Sequence, residues 1–351
     1  MEKNVKLPKL YAFNKKLKID LSLSENPLGC SPKVFSVLKN DVKKVTKYPD
    51  PTSSKLLSVL AKKFKISKEQ ILVGNGSENL IDLVCRILTQ PKGEVVLPEL
   101  TFPLFERSIL LAGGKTIFAR MKRNFQIDFQ SLKKGISKQT QLVILCNPNN
   151  PTGKIIPKDN LINFVRNVSA LPVLVDEANI EFGGKSIVSE VKNRKNLLVL
   201  RTFSKAFGLA GLRVGVLIGS KSLIEKFKQF TQPFPVNSFV ERAVITAIDD
   251  KKFIEQTRIL MRKERNFLID ELRKREFMVF NSEANIILVE VNRIFPSATE
   301  FVKLLNKNQV SVVNGKSFRG LGDRFIRVSP RLRKTNLIFL RVIDKILANM
   351  E

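Results

Sequence analysis

Seven short aliphatic runs punctuate the first two-thirds of the chain: QILVG (70–74), EVVLP (94–98), KTIFA (115–119), QLVILC (141–146), PVLVD (172–176), NLLVL (196–200) and VGVLIG (214–219). Each is rich in β-branched residues and reads as a buried strand. Between most of them lie stretches with helical spacing of apolar residues, such as SENLIDLVCRIL (77–88), DNLINFVRNV (159–168) and SLIEKFKQF (222–230). Strands alternating with helices predict an α/β fold, a mostly parallel seven-stranded sheet covered on both faces. From about 237 to 275 the pattern is long and helical; FMVF, NIILVEV, ATEFVKLLNK, VSVV and RFIRVS then precede a closing helix from about 333. That tail predicts a smaller α+β domain. The expected division is a large domain over 45–240 and a small one built from both termini, 1–44 and 241–351.

Composition narrows the class. A chain of 351 residues exceeds one minimal core, and no apolar run approaches a membrane span. The opening MEKNVKLPKLYAF lacks the apolar core of a secretory signal. Cys30, Cys85 and Cys146 are odd in number and show no metal-ligand spacing. The chain therefore reads as a soluble, cytoplasmic protein with no metal site. The absence of histidine excludes histidine-based triads and metal centres. Lys and Arg number 61 against 32 Asp and Glu, a net charge of +29. The basic clusters are short (NKKLK, KKFK, MRKER, ELRKR), and charge alone is non-specific, so nucleic acid is not the expected partner. Only two tyrosines stand against 25 phenylalanines. Either the phenols of Tyr11 and Tyr48 matter, or they are chance survivors.

In a parallel sheet, ligands gather beyond the carboxyl ends of the strands. The polar motifs fall there. GNGSENL (74–80) places Gly76, Ser77 and Glu78 at the start of a helix, where free N–H groups suit a phosphate, although an ordinary turn and cap has the same composition. NPNNPTGK (147–154) is a rigid loop rich in amides, and VDEAN (175–179) ends a strand with Asp176 and Glu177. TFSKAFGLAGLR (202–213) embeds Lys205 among apolar residues, with Thr202, Ser204 and Arg213 nearby. A lysine so placed either snorkels or has a lowered pKa that frees its amine for a Schiff base. Phosphate cradle, strand-end carboxylate, amide-rich loop and desolvated lysine together are the parts that pyridoxal phosphate needs.

The order of these motifs, from LSENPLGCSP through KYPDP, GNGSENL, NPNNPTG, VDEANIEFGG and RTFSKAFGLAGLRVG to RFIRVSPR, resembles the fold-type I pyridoxal-phosphate aminotransferases. It is most similar to the histidinol-phosphate aminotransferase family. The resemblance implies pyridoxal 5'-phosphate as cofactor, with Lys205 as Schiff-base lysine and proton shuttle and Asp176 paired with the pyridine nitrogen. Asn150 would bond the ring hydroxyl, and Phe102 would stack on the ring. Gly76, Ser77, Glu78, Thr202, Ser204 and Arg213 would hold the phosphate. Tyr48 would reach the cofactor of a neighbouring subunit, which implies a homodimer with shared active sites. Arg327 would grip the α-carboxylate of glutamate, with Tyr11 also on the substrate. Two positions depart from the family pattern: Asn179 replaces the tyrosine of DEAY, and Asn314 stands where a substrate-binding arginine is common. Arg319 or Arg331 is a candidate substitute. The implied reaction moves an amino group between L-glutamate/2-oxoglutarate and a small phosphorylated amine, in histidine biosynthesis. SFRGLGDRFIRVSPR also resembles the threonine-phosphate decarboxylases.

Overall fold

The computed structural model describes residues 7–11 and 17–350. A two-residue strand, β1 (Ile19–Asp20), comes first. The central sheet follows, built from β2 (Ile71–Gly74), β3 (Glu94–Pro98), β4 (Lys115–Ala119), β5 (Thr140–Cys146), β6 (Val173–Asp176), β7 (Leu197–Thr202) and β8 (Gly215–Ile218). Its order is β2-β8-β7-β6-β5-β3-β4, with only β8 antiparallel to its neighbours. All seven expected strands are present, each within two residues of its expected ends.

Both faces of the sheet are covered, which explains why the strands read as unbroken apolar runs. Leu142 and Ile144 of β5 point into one layer, with Leu80 and Val84 of the helix Gly76–Leu88 and Phe105 of the helix Pro103–Leu111. Their neighbours Val143 and Leu145 point into the other, with Leu56, Leu161 and Val244. The helices Pro32–Asp41 and Ser238–Asp249 also pack there, through Val34, Val240 and Val244. The three-layer arrangement, helices on both faces of a mostly parallel sheet, thus follows from two-sided burial.

A second core gathers Leu21, Leu268, Leu272, Phe301, Phe339 and Ile343. Over it lies a four-stranded antiparallel sheet in the order β12 (Val313–Asn314), β13 (Phe325–Val328), β10 (Ile287–Glu290), β9 (Met278–Val279). β11 (Val310–Ser311) instead pairs in parallel with β1, so VSVV serves two sheets rather than forming one strand. The helical stretch 237–275 is two helices, Ser238–Asp249 and Lys251–Lys274. Asp250 breaks it: its backbone leaves the helical region, and its carboxylate accepts from the Phe253 N–H (3.4 Å) and the Ser31 hydroxyl (2.6 Å).

Because six strands of the central sheet run the same way, the loops after β2, β5, β6 and β7 open on one edge. No helix among the described residues is long and apolar enough to cross a membrane.

Candidate active site

At that edge, Tyr11, Ser77, Glu78, Phe102, Asn150, Asp176, Asn179, Thr202, Ser204, Lys205 and Arg213 line one cavity of about 130 Å³. The loop GNG turns directly into the helix Gly76–Leu88, leaving its first N–H groups without intrahelical partners. Gly76 sits at φ +80°, and a Cβ there would lie 2.7 Å from the Arg213 guanidinium. Only glycine lets that side chain close over the helix end, where it donates to Glu78 (3.1 Å) and to the Ala210 carbonyl (3.2 Å). Thr202 ends β7 and its hydroxyl accepts from the Ser204 N–H (3.2 Å). The result is a ring of donors fit for an anion.

Asp176 ends β6, buried, and accepts from the Ala178 N–H at 2.9 Å. Burial pushes its carboxyl up to about 7, against the lowering effect of that hydrogen bond and of the Lys205 charge. Burial conversely brings the Lys205 amine down to about 8, helped by Arg327 and opposed by Glu78 and Glu25. The amine donates to the Ser24 hydroxyl at 3.0 Å. A lysine with a substantial neutral fraction near physiological pH is a competent nucleophile and base.

Arg327, fully buried in β13, ties this cavity to the second core. Its guanidinium donates to the Tyr11 hydroxyl (2.9 Å), the Asn150 side-chain oxygen (2.9 Å) and the Ser22 carbonyl. The Tyr11 ring lies 4.4 Å from the guanidinium carbon, and Asn150 in turn donates to the Tyr11 hydroxyl (3.2 Å). The Nε of Arg327 is buried without a protein partner.

With this geometry, the profile of the class I and II aminotransferases matches residues 16–343. The chain belongs to this family. It is 34% identical over 342 residues to the histidinol-phosphate aminotransferase of Methanococcus maripaludis, covering 96% of this chain and 92% of that one. The crystal structure of the Clostridium acetobutylicum histidinol-phosphate aminotransferase superposes with a TM-score of 0.88 at 29% identity, over 94% of this chain and 99% of that one. The Sinorhizobium meliloti enzyme, solved in complex with pyridoxal-5'-phosphate, shares the fold with a TM-score of 0.90 at 20% identity, over 96% and 93% of the two chains.

Class I and II aminotransferases work with pyridoxal 5'-phosphate, and this pocket fits that group. Asn179 is buried with its side-chain oxygen unpartnered, a cost that a bound polar group would remove. The buried Asp176 faces the same space as the anion cradle.

Other residues to which the resemblance assigns a role lie apart from this cavity. Tyr48 is 87% exposed and stacks on Phe234, ring centroids 5.1 Å apart. Arg319 lines a neighbouring cavity of about 680 Å³ beyond Phe102, where it pairs with Glu106 and covers the Phe118 ring. Arg331 is engaged on the backbone of residues 20–25, and Asn314 caps a turn by accepting from the Lys316 N–H (2.8 Å). Ser24, Ala178 and Cys146 line the cavity without having been singled out. Cys146 is the last residue of β5, just before the NPNNPTGK loop, and Ser24 lies within LSENPLGCSP, the first of the ordered motifs, which gives no sign of its contact with Lys205.

Proposed function

We propose that this chain is a cytoplasmic aminotransferase that exchanges an amino group between L-glutamate and a small phosphorylated oxo compound, imidazole-acetol phosphate, giving 2-oxoglutarate and histidinol phosphate. One observation carries the reading: a buried Lys205 and a buried Asp176 share a cavity with an anion cradle, and Arg327 stands at its side. The names of the relatives supply the substrate.

Pyridoxal phosphate, when bound, supplies an electron sink for the carbanion formed at the substrate α-carbon. The Gly76–Glu78 N–H groups, Thr202, Ser204 and Arg213 would hold its phosphate. Asp176 would keep the ring nitrogen protonated, Asn150 and Asn179 would present amides to the ring hydroxyl, and Phe102 would cover the ring face. Lys205 would hold the aldehyde end of the group, and its amine would carry the α-proton. Arg327 and Tyr11 bind the α-carboxylate of glutamate or the phosphate of the partner substrate, with Arg319 at the outer cavity. Tyr48 completes the site of a second subunit, making the enzyme a homodimer.

The test is the visible spectrum of cofactor-loaded protein. L-Histidinol phosphate should bleach the band of the Lys205-bound cofactor, and 2-oxoglutarate should restore it. A band untouched by histidinol phosphate would sink the substrate; carbon dioxide release from an O-phospho amino acid, without 2-oxoglutarate dependence, would make the chain a decarboxylase instead.

A further inference from the structure

Residues 20–26 form a strap between the two cores, and the backbone of that strap is held along its length. Arg331 donates to the carbonyls of Asp20 (2.8 Å), Leu23 (2.9 Å) and Glu25 (3.3 Å). The Ser329 N–H takes the carbonyl of Leu21 (2.9 Å), Arg327 that of Ser22, and the Asn285 amide that of Ser24 (2.9 Å). At its far end the strap grips the loop that carries Lys205. Asn26 donates to the Ala206 carbonyl (2.8 Å) and to Thr257 (3.1 Å). Just beyond, Gly208 lies so close to the Gly29 carbonyl that no side chain fits between them. In the middle, 7% exposed, Ser24 turns its hydroxyl to the Lys205 amine at 3.0 Å.

A serine hydroxyl on a mobile loop would fix nothing, because ordering it would cost as much as one hydrogen bond returns. Here the backbone is already immobilised by other groups. We propose that Ser24 is a positioning residue for Lys205: its hydroxyl is the rest to which the free amine returns, aiming it while it carries the proton. The tetrahedral geometry of the amine gives this a direction. With one N–H donated to Ser24, the nitrogen lone pair of the neutral amine points elsewhere, free to take a proton from the substrate carbon. The inference rests on the aminotransferase reading given above.

The experiment compares wild type, Ser24→Ala and Ser24→Thr in two ways. In the apoprotein, acetylation of Lys205 by acetic anhydride is followed by peptide mass spectrometry against pH. In the loaded enzyme, single turnovers are run with L-glutamate and with α-deuterated L-glutamate. Alanine removes an acceptor from the charged amine, so the labelling midpoint should fall by about half a unit or more. The single-turnover rate should drop about tenfold, with glutamate affinity within about twofold and a larger isotope effect. Threonine keeps the hydroxyl and should restore midpoint and rate together. An alanine variant with the wild-type rate overturns the proposal, as does a threonine variant no better than alanine, since the loss would then be one of packing. Should wild type take up no cofactor at Lys205, the functional reading itself falls; an unchanged labelling midpoint would then remove the Ser24 contact as well, and a shifted one would keep it.

Discussion

Asp176 and Lys205 make opposite demands on the apoprotein as pH changes. A carboxyl raised to about 7 contributes stability that is complete below the unfolded carboxyl range and lost as pH rises through about 7. An amine lowered to about 8 contributes stability that is complete above its unfolded value and lost as pH falls through about 8. Between those values both groups are charged and both are buried, so together they stabilise the apoprotein least near neutral pH. Asp176→Asn should therefore stabilise the apoprotein at pH 8 by on the order of 2 kcal/mol, and the gain should shrink as the pH is lowered toward 4. The same substitution should slow transamination by about two orders of magnitude or more, because the ring nitrogen loses its carboxylate. Denaturant melts at pH 8 and pH 4.5, with and without cofactor, check both signs. Asp176 and Lys205 were legible because each is chemically out of place in its own short segment, an acid ending an aliphatic strand and a lysine among Ala, Gly and Phe. Ser24 was not. Its meaning comes from a contact across 181 positions, which no local pattern records.

At the scale of elements, the glycine that lets Arg213 close over the helix Gly76–Leu88 is the vulnerable point. Gly76→Ala would force a side chain into φ +80° and push the guanidinium aside. It should cost about 1–3 kcal/mol of stability and weaken cofactor binding at least about tenfold. Gly211→Ala, with nothing within 4 Å of the added carbon, should leave both unchanged. Calorimetric titration of the two apoproteins with pyridoxal phosphate separates these outcomes. The strands were legible to within two residues because burial on both faces gives an unmistakable aliphatic run. The break at Asp250 was less visible, since a capping aspartate inside a helical pattern looks like one more polar position. VSVV reads as one strand because sequence spacing carries no information about which sheet each residue joins.

Over the whole molecule, the segment leading to Tyr48 carries exposed apolar side chains that a monomer has no use for. Phe35, Val42 and Val45 are each at least 62% exposed, and Tyr48 follows them directly. They make this face the expected seat of a second subunit. Val45→Glu should yield monomers by light scattering and lower activity sharply. Tyr48→Phe should stay dimeric while losing several-fold in cofactor affinity. The change from alternating strands and helices to a long helical stretch marks the second core in the sequence, and the expected small domain draws on both termini; the register that joins them, Ile19 on Val310, was not legible, because it is a property of the closed fold.

The clamped strap also sets a schedule for synthesis. Its sequence precedes the central sheet, yet Asn285, Arg327, Ser329 and Arg331, which hold it, all follow that sheet in the order of synthesis. A nascent chain can assemble the central sheet, with Lys205 already in its loop, while the rest for that lysine hangs unpaired. The strap is thus held only once residues 285–331 have been made, and a chain that stalls before them would hold a nearly finished sheet with the strap beside Lys205 loose.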